Sequence, residues 1–500
     1  MKRLIAAAIL AALIPAPAVA GWTKVETANF RIFGESGEGG LKSLARQLED
    51  YDQLLRKVME VSATPPPNKL DVYVVGNQVD LRDVSPHLPA SIGGFYHASV
   101  EDIAAFSIRG DGWAFKDAEV LFHEYAHHFV QRYFPAAYPA WYSEGFAEYL
   151  ATARFSEDRV ELGRFNDLRA SFIVADLWLP TSKLLAVGSN GGPRLTQEQR
   201  GTFYSQSWLM VHYLLHAAPD RDAFARFMAE REKGGDEEAA FTRTIGMSPA
   251  AFDKALRAYA GGRLTYVSLA RASASTAPVM TVERLPAAAG DLLLLREGVR
   301  TGIAEADQPA MLEKIRRRAA RYPDDPFAQG VLARAELSLG DATRAVAILD
   351  PIVARSPHDA ELLYLLGLAD QKRAASMKGA ERAAALMAAR GWFGRAHQAD
   401  PNHVGALYRY AEATVDQPLT ENTMNVLRLA HNLAPQVDEI TVAAGVAMLQ
   451  LGRKAEAHAM LDPIAGDPHG GSAATYVRRV LADGTPPKPF TFADDSSKDE

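Results

Sequence analysis

No cysteine occurs among the 500 residues. That excludes disulfides, thiolate metal sites and a lipid anchor on cysteine, and leaves histidine and carboxylate as the side chains able to hold a transition metal. Positive charge is not in excess either: 54 Lys and Arg face 61 Asp and Glu, for a formal charge of −7. Such a balance argues against nucleic acid or an anionic membrane surface as partner. Beyond residue 20 no apolar run reaches 18 uncharged residues, so the remaining chain has no candidate membrane span and reads as soluble. The one long apolar run, Leu4–Ile14, follows Lys2 and Arg3 and leads to Ala18-Val19-Ala20. Residues 1–20 therefore read as a cleavable signal peptide, cut after Ala20, which implies a periplasmic or secreted protein. A chain starting at Gly21 is long enough for more than one domain.

What is present centres on HEYAHH, His123–His128. On a helix, His123 and His127 project from one face, one turn apart, and two imidazoles so placed reach a single tetrahedral metal. Glu124 then stands where the HExxH arrangement puts a general-base carboxylate beside zinc. Asp117 reads as the N-cap of this helix and Pro135 as its stop. A second helical stretch, PAWYSEGFAEYL (Pro139–Leu150), carries Glu144 and Glu148 four apart, with Glu144 17 residues after His127. That distance lets one helix end, turn and return a carboxylate to the same place.

With the string Trp141-Tyr142-Ser143-Glu144-Gly145-Phe146-Ala147, the region 21–262 resembles the gluzincin zinc metallopeptidases of the thermolysin and aminopeptidase N type. The resemblance implies an α+β zincin-like fold and a Zn²⁺ site of His123, His127 and Glu144, with Glu124 as general base. It implies that Tyr204, opening the helix at Tyr204–Trp208, stabilises the oxyanion. Gln206 and Ser207 stand where that pattern has Lys and Gly, and a tyrosine packed in a helical core is the other reading. Glu148 is expected either to orient a ligand histidine or to be a solvated helix carboxylate. The strand Gly94, Phe95, Tyr96, His97 is expected to line the cleft and pair with the substrate backbone, or to be an ordinary edge strand. It has no glutamate of the kind that binds a substrate amino terminus, which favours endopeptidase over aminopeptidase activity.

Elsewhere in 21–262, Val25–Phe33, Leu70–Val75, Gly93–Ser99 and Ile103–Ile108 read as strands and Leu41–Val61 as a helix. A hairpin is predicted around Arg159–Phe165, and His212 and His216 read as ordinary helical histidines. Residues 263–289, rich in Ser, Ala and Thr, read as a connector. After them Pro323, Pro357, Pro401 and Pro435 recur at 34, 44 and 34 residues, and LDPI occurs at Leu349–Ile352 and again at Leu461–Ile464. This is the tetratricopeptide period with about ten residues inserted within Arg373–Gly391, and it predicts an all-α repeat solenoid over 290–470. Small residues (Gly340, Ala345, Gly367, Gly445, Gly452, Ala457) fall where paired helices must approach. Residues 485–500 read as a disordered acidic tail.

The expectation is a zinc-dependent peptidase acting on a peptide or protein substrate, with repeats that recruit a protein partner. The alternative is a catalytically silent peptidase fold that works as a scaffold through its repeats.

Overall fold

The computed structural model describes residues 21–35, 37–90, 92–109, 118–165, 167–175, 177–188, 192–231, 233–271, 278–466, 471–483 and 490. The predicted signal peptide and Asp117 lie outside them, as does all of the predicted tail except Phe490, whose ring meets Tyr408.

Strands β1 (Thr23–Glu26), β2 (Phe30–Gly34), β3 (Leu70–Val75), β4 (Gly94–Ala98) and β5 (Ile103–Ile108) belong to the larger sheet. Strands β6 (Arg154–Phe155), β7 (Arg159–Leu162) and β8 (Val267–Ala270) form a smaller one, and β9 (Thr281–Arg284) returns to the first. The larger sheet has the order β4-β5-β3-β2-β1-β9, with β2, β3 and β5 parallel and the other pairs antiparallel. The Val25–Phe33 run is thus a hairpin of two strands, because Thr27 turns the chain with bonds to Phe30. The second hairpin spans Arg154–Leu162 and so begins earlier than its predicted Arg159.

The first helices are α1 (Glu38–Val58), α2 (Gln78–Val84), α3 (Glu119–Tyr133), α4 (Ala140–Ala151) and α5 (Asp167–Val174). They are followed by α6 (Thr181–Ala186), α7 (Gln197–His216), α8 (Ala223–Arg231), α9 (Glu237–Ile245) and α10 (Pro249–Ala260). Alternation along β3 sends Leu70, Val72 and Val74 to the face covered by α1 and α3, and Tyr73 and Val75 to the other. That second face is covered by α2 and by α11 (Ala289–Thr301), whose Ala289 and Leu293 are fully buried there. The stretch expected as a connector is therefore woven into the fold. β8 pairs with β7, β9 pairs with β1, and α11 seals the sheet.

Helical hairpins follow: α12 (Gln308–Ala319), α13 (Pro326–Leu339), α14 (Ala342–Arg355), α15 (Ala360–Ala375), α16 (Gly379–Ala399), α17 (Val404–Glu412), α18 (Glu421–Leu433), α19 (Asp438–Gln450), α20 (Lys454–Ala465) and α21 (Gly471–Asp483). Asp325, Asp341 and Asp359 each accept bonds from first-turn amides and so start α13, α14 and α15. The ten extra residues lengthen one hairpin, α15 and α16, to 16 and 21 residues. A Cβ at Gly367 would meet Phe393 at 2.4 Å and one at Gly445 would meet Leu461 at 2.5 Å, so helix pairs approach where small residues permit it.

This array does not hang free. Glu101, in the β4–β5 turn, accepts from Arg334 of α13 (2.8 Å), Tyr364 of α15 (2.6 Å) and Arg409 of α17 (3.1 Å). Arg300 of α11 donates to its carbonyl at 2.7 Å. Burial opposes ionisation of Glu101, but the two guanidiniums and the Tyr364 hydroxyl outweigh it and hold the carboxyl down at about 2. The first helix of successive repeats thus grips the turn next to β4.

Candidate metal centre

Helix α3 is fixed on one side and chemically free on the other. Phe122, Tyr125 and Phe129 are buried against α1, with Phe122 stacked on Tyr51 at 4.1 Å. Tyr125 donates to Asp52 at 2.6 Å, and Arg56 donates to Tyr133 at 3.0 Å. The opposite side carries His123 and His127, whose Nε2 atoms are 3.1 Å apart. Chain reversal at Phe134–Pro139 brings α4 back alongside. Glu144 Oε2 then lies 3.3 Å from His123 Nε2 and 3.5 Å from His127 Nε2.

These spacings test whether a metal fits. Four ligands at 2.0–2.1 Å in a tetrahedron stand roughly 3.3 Å from one another. The observed separations of 3.1, 3.3 and 3.5 Å bracket that edge. Among the described residues this is the one group of three His, Asp or Glu side chains placed to share an ion. Among the described residues Glu144 Oε2 is buried with no hydrogen-bond partner, which suits an atom that binds a cation. The residues fit zinc. Although burial resists charge, Glu144 and Glu148 raise His123 to about 9, and the two histidines hold Glu144 well below the usual carboxylate range. The cluster attracts positive charge.

The residues around it take separate places. Glu124 is half-buried, and among the described residues its carboxylate has no hydrogen bond or ion pair. Glu148 is 6% exposed, so it is not a solvated helix carboxylate. Its Oε1 stands 3.4 Å from His123 Nδ1, and Arg169 of α5 grips both its oxygens. Arg169 also lies 5.0 Å over the Tyr204 ring, which meets His123 edge-on at 6.2 Å. Glu144 and burial both push the Tyr204 phenol up, so it remains a protonated donor. Sequence reasoning missed Arg169, because no spacing ties residue 169 to 148 and 204 before the chain folds. His128, the last residue of HEYAHH, points elsewhere: it is buried, bonded to Tyr96 at 3.0 Å and pushed down to about 3 by burial and Arg132. His212 and His216 stack on one another and bond to Tyr259 and Tyr149, a structural role.

Gly145 explains how α4 and α7 place these groups together. A Cβ there would stand 2.2 Å from the Ser207 carbonyl oxygen. Ser207 lies one turn after Tyr204, so this backbone contact sets the distance between Tyr204 and Glu144. Gln206, in turn, is fully buried and exchanges bonds with the backbone of Leu179. Gly145→Ala should cost about 1–3 kcal/mol through overpacking and weaken zinc retention by prising α4 from α7. Thermal unfolding with and without zinc checks this, and an unchanged melting temperature would contradict it.

Of the strand at Gly94–His97, only Tyr96 faces the cleft. Phe95 stacks on Phe106 at 4.8 Å, and His97 is turned inward with burial lowering it to about 4. Gly94 admits no Cβ, which would meet Phe106 O at 2.6 Å and Val120 at 2.7 Å. Bonds from Ile108 N to Gly93 O and from Ser99 N to Asp102 O set which residues pair with β5. Phe95 and His97 bond inward, so the backbone groups of Gly94, Tyr96 and Ala98 lie along the open edge of the sheet.

Beside the triad is a cavity of about 310 Å³ between this domain and the repeats. His127, Ser143 and Ala147 form its rim, with Tyr96, Tyr142 and Phe146 as one wall and residues of α19 and α20 as the other.

Residues 308–416 match the family Tetratricopeptide Repeats-Sensor. The C-terminal region is a tetratricopeptide-repeat array. Among solved structures the chain is similar to a thermophilic TPR protein of Thermus thermophilus, at 22% identity over 35% of this chain and 92% of that one, with a TM-score of 0.32. No curated protein matches the chain. A repeat array of this kind is a protein-interaction module, and here part of its surface is already engaged by the β4–β5 turn.

Proposed function

We propose that the protein is a zinc-dependent endopeptidase whose cleft lies between its N-terminal domain and its repeats. One observation carries this reading: His123, His127 and Glu144 stand at tetrahedral spacing beside a carboxylate, Glu124, that has no structural partner among the described residues. Zinc held by the three would supply Lewis acidity toward a peptide carbonyl and toward water. Glu124 accepts the proton of the attacking water and delivers it to the leaving amine. Tyr204 donates a hydrogen bond to the oxygen on which negative charge develops. Glu148, held by Arg169, fixes the orientation of the His123 ring. An extended peptide adds to the open edge at Gly94, Tyr96 and Ala98, as strand addition requires.

We place the protein in the periplasm or outside the cell on the strength of residues 1–20, and assign recruitment of a protein partner to repeat surfaces that the β4–β5 turn leaves uncovered. The test is a mass-spectrometric screen of a broad peptide library with zinc-loaded protein and a chelated control. Cleavage by the zinc form alone supports the reading. If both are inert, the peptidase reading falls and the repeats carry the function.

A further inference from the structure

The cavity beside the triad has walls from two parts of the chain that are more than 300 residues apart in sequence. On one side Tyr138, Tyr142 and Phe146 form a continuous stack, with centroids 5.5 and 5.4 Å apart, and Phe224 backs Tyr142 at 3.8 Å. On the other side stand Ala459, Met460, Pro463 and Ile464 of α20, the last two from the second LDPI string. The two walls are held together at their base: a Cβ at Gly466, closing α20, would meet Ala137 at 2.3 Å, and Arg132 donates to Leu433 O at 3.0 Å. Among the described residues, no lysine or arginine lines the cavity, and its one carboxylate, Asp438 at the start of α19, is engaged in an interaction of its own.

We propose that this cavity is the enzyme's specificity pocket, that it takes one large uncharged side chain, such as Phe, Leu, Met or Tyr, next to the scissile bond, and that the repeat array supplies half of it. The inference rests on the peptidase reading. Continuity with the site commits the occupant. The rim includes His127 itself, Ser143 beside Glu144, and Ala147 one turn later, while Tyr96 and Ala98 of the open edge line the same space. A peptide extended along that edge sends alternate side chains to one face, and the chain passing the triad therefore drops one of them here. The volume is at the small end of the roughly 300–1,000 Å³ range of ligand pockets, room enough for one large side chain. Rigid aromatic rings give the pocket its shape, and Met460 gives the repeat wall some adaptability.

The experiment profiles cleavage of a synthetic peptide library by the zinc-loaded full chain, read by mass spectrometry. The expected result is at least a tenfold preference for Phe, Leu, Met or Tyr over Gly and Asp at one fixed position relative to the cleaved bond. Ala459→Phe projects a ring into the pocket from the repeat side. It should lower kcat/KM at least tenfold for peptides with Phe at that position, and spare those with Ala. Met460→Ala enlarges the pocket and should shift the preference toward Trp, which keeps the test decisive if the first variant misfolds. Absence of any cleavage by the wild type overturns the peptidase reading and this inference with it. Cleavage without a size preference, or profiles that neither variant alters, overturns the pocket alone and leaves the peptidase standing.

Discussion

Glu124→Gln should leave zinc content unchanged and reduce peptide hydrolysis by about a hundredfold to ten-thousandfold, the usual contribution of a positioned acid–base group. The carboxamide keeps the size and planarity of the side chain but cannot accept a proton. Because the Glu124 carboxylate has no structural partner among the described residues, little stability should be lost, and any fall in rate reads as chemistry. Rates on one cleaved library peptide, with zinc content measured on the same samples, decide the matter. Equal activity in the two proteins would rule out Glu124 as the base. Equal inertness would favour the repeats as the working part of the molecule.

Glu144→Ala should reduce zinc from about one ion per chain to a small fraction after dialysis, because two imidazoles alone bind it far more weakly than a closed set of three protein ligands. Glu148 is the other carboxylate at hand, and geometry separates the two. Glu144 Oε2 is within 3.5 Å of both Nε2 atoms, whereas Glu148 faces the Nδ1 of His123 and is held by Arg169. Zinc analysis of Glu144→Ala beside Glu148→Gln checks the assignment. Full retention in the first with loss in the second would make Glu148 the ligand and Glu144 the orienting group. The expected order is severe loss in the first and a partial decrease in the second, since groups that orient a metal ligand typically contribute 10–100-fold in affinity.

The cluster of His123, His127 and Glu144 was legible because its parts are local. His123, Glu124 and His127 lie within two helical turns, and Glu144 is one chain reversal away. The repeats were legible for a related reason: each hairpin buries its own small residues, so the period survives in the sequence, and the match at 308–416 agrees with it. The boundary between the two parts was not legible. A stretch rich in Ser, Ala and Thr has the composition of a connector, yet β9 within it pairs with β1, more than 250 residues earlier. Nothing in its composition announces that partner, since an edge strand needs only backbone groups to pair.

Residues 94–97 show the same limit at closer range. Their strand character follows from composition, but which of them meets the cleft depends on register against β5. One residue of slip would have exchanged Tyr96 for Phe95 and His97. The sequence by itself determined the helix periods, the one-turn spacing of His123 and His127 and the repeat length, because each arises from interactions within a turn or within one hairpin. Only the tertiary structure decided that Arg169 braces Glu148 and Tyr204, that Glu101 is gripped by three repeats, and that α20 closes a pocket beside His127. Those contacts join residues 21 to more than 330 positions apart, where side-chain chemistry sets what a contact is worth but the packing of whole elements sets whether it forms.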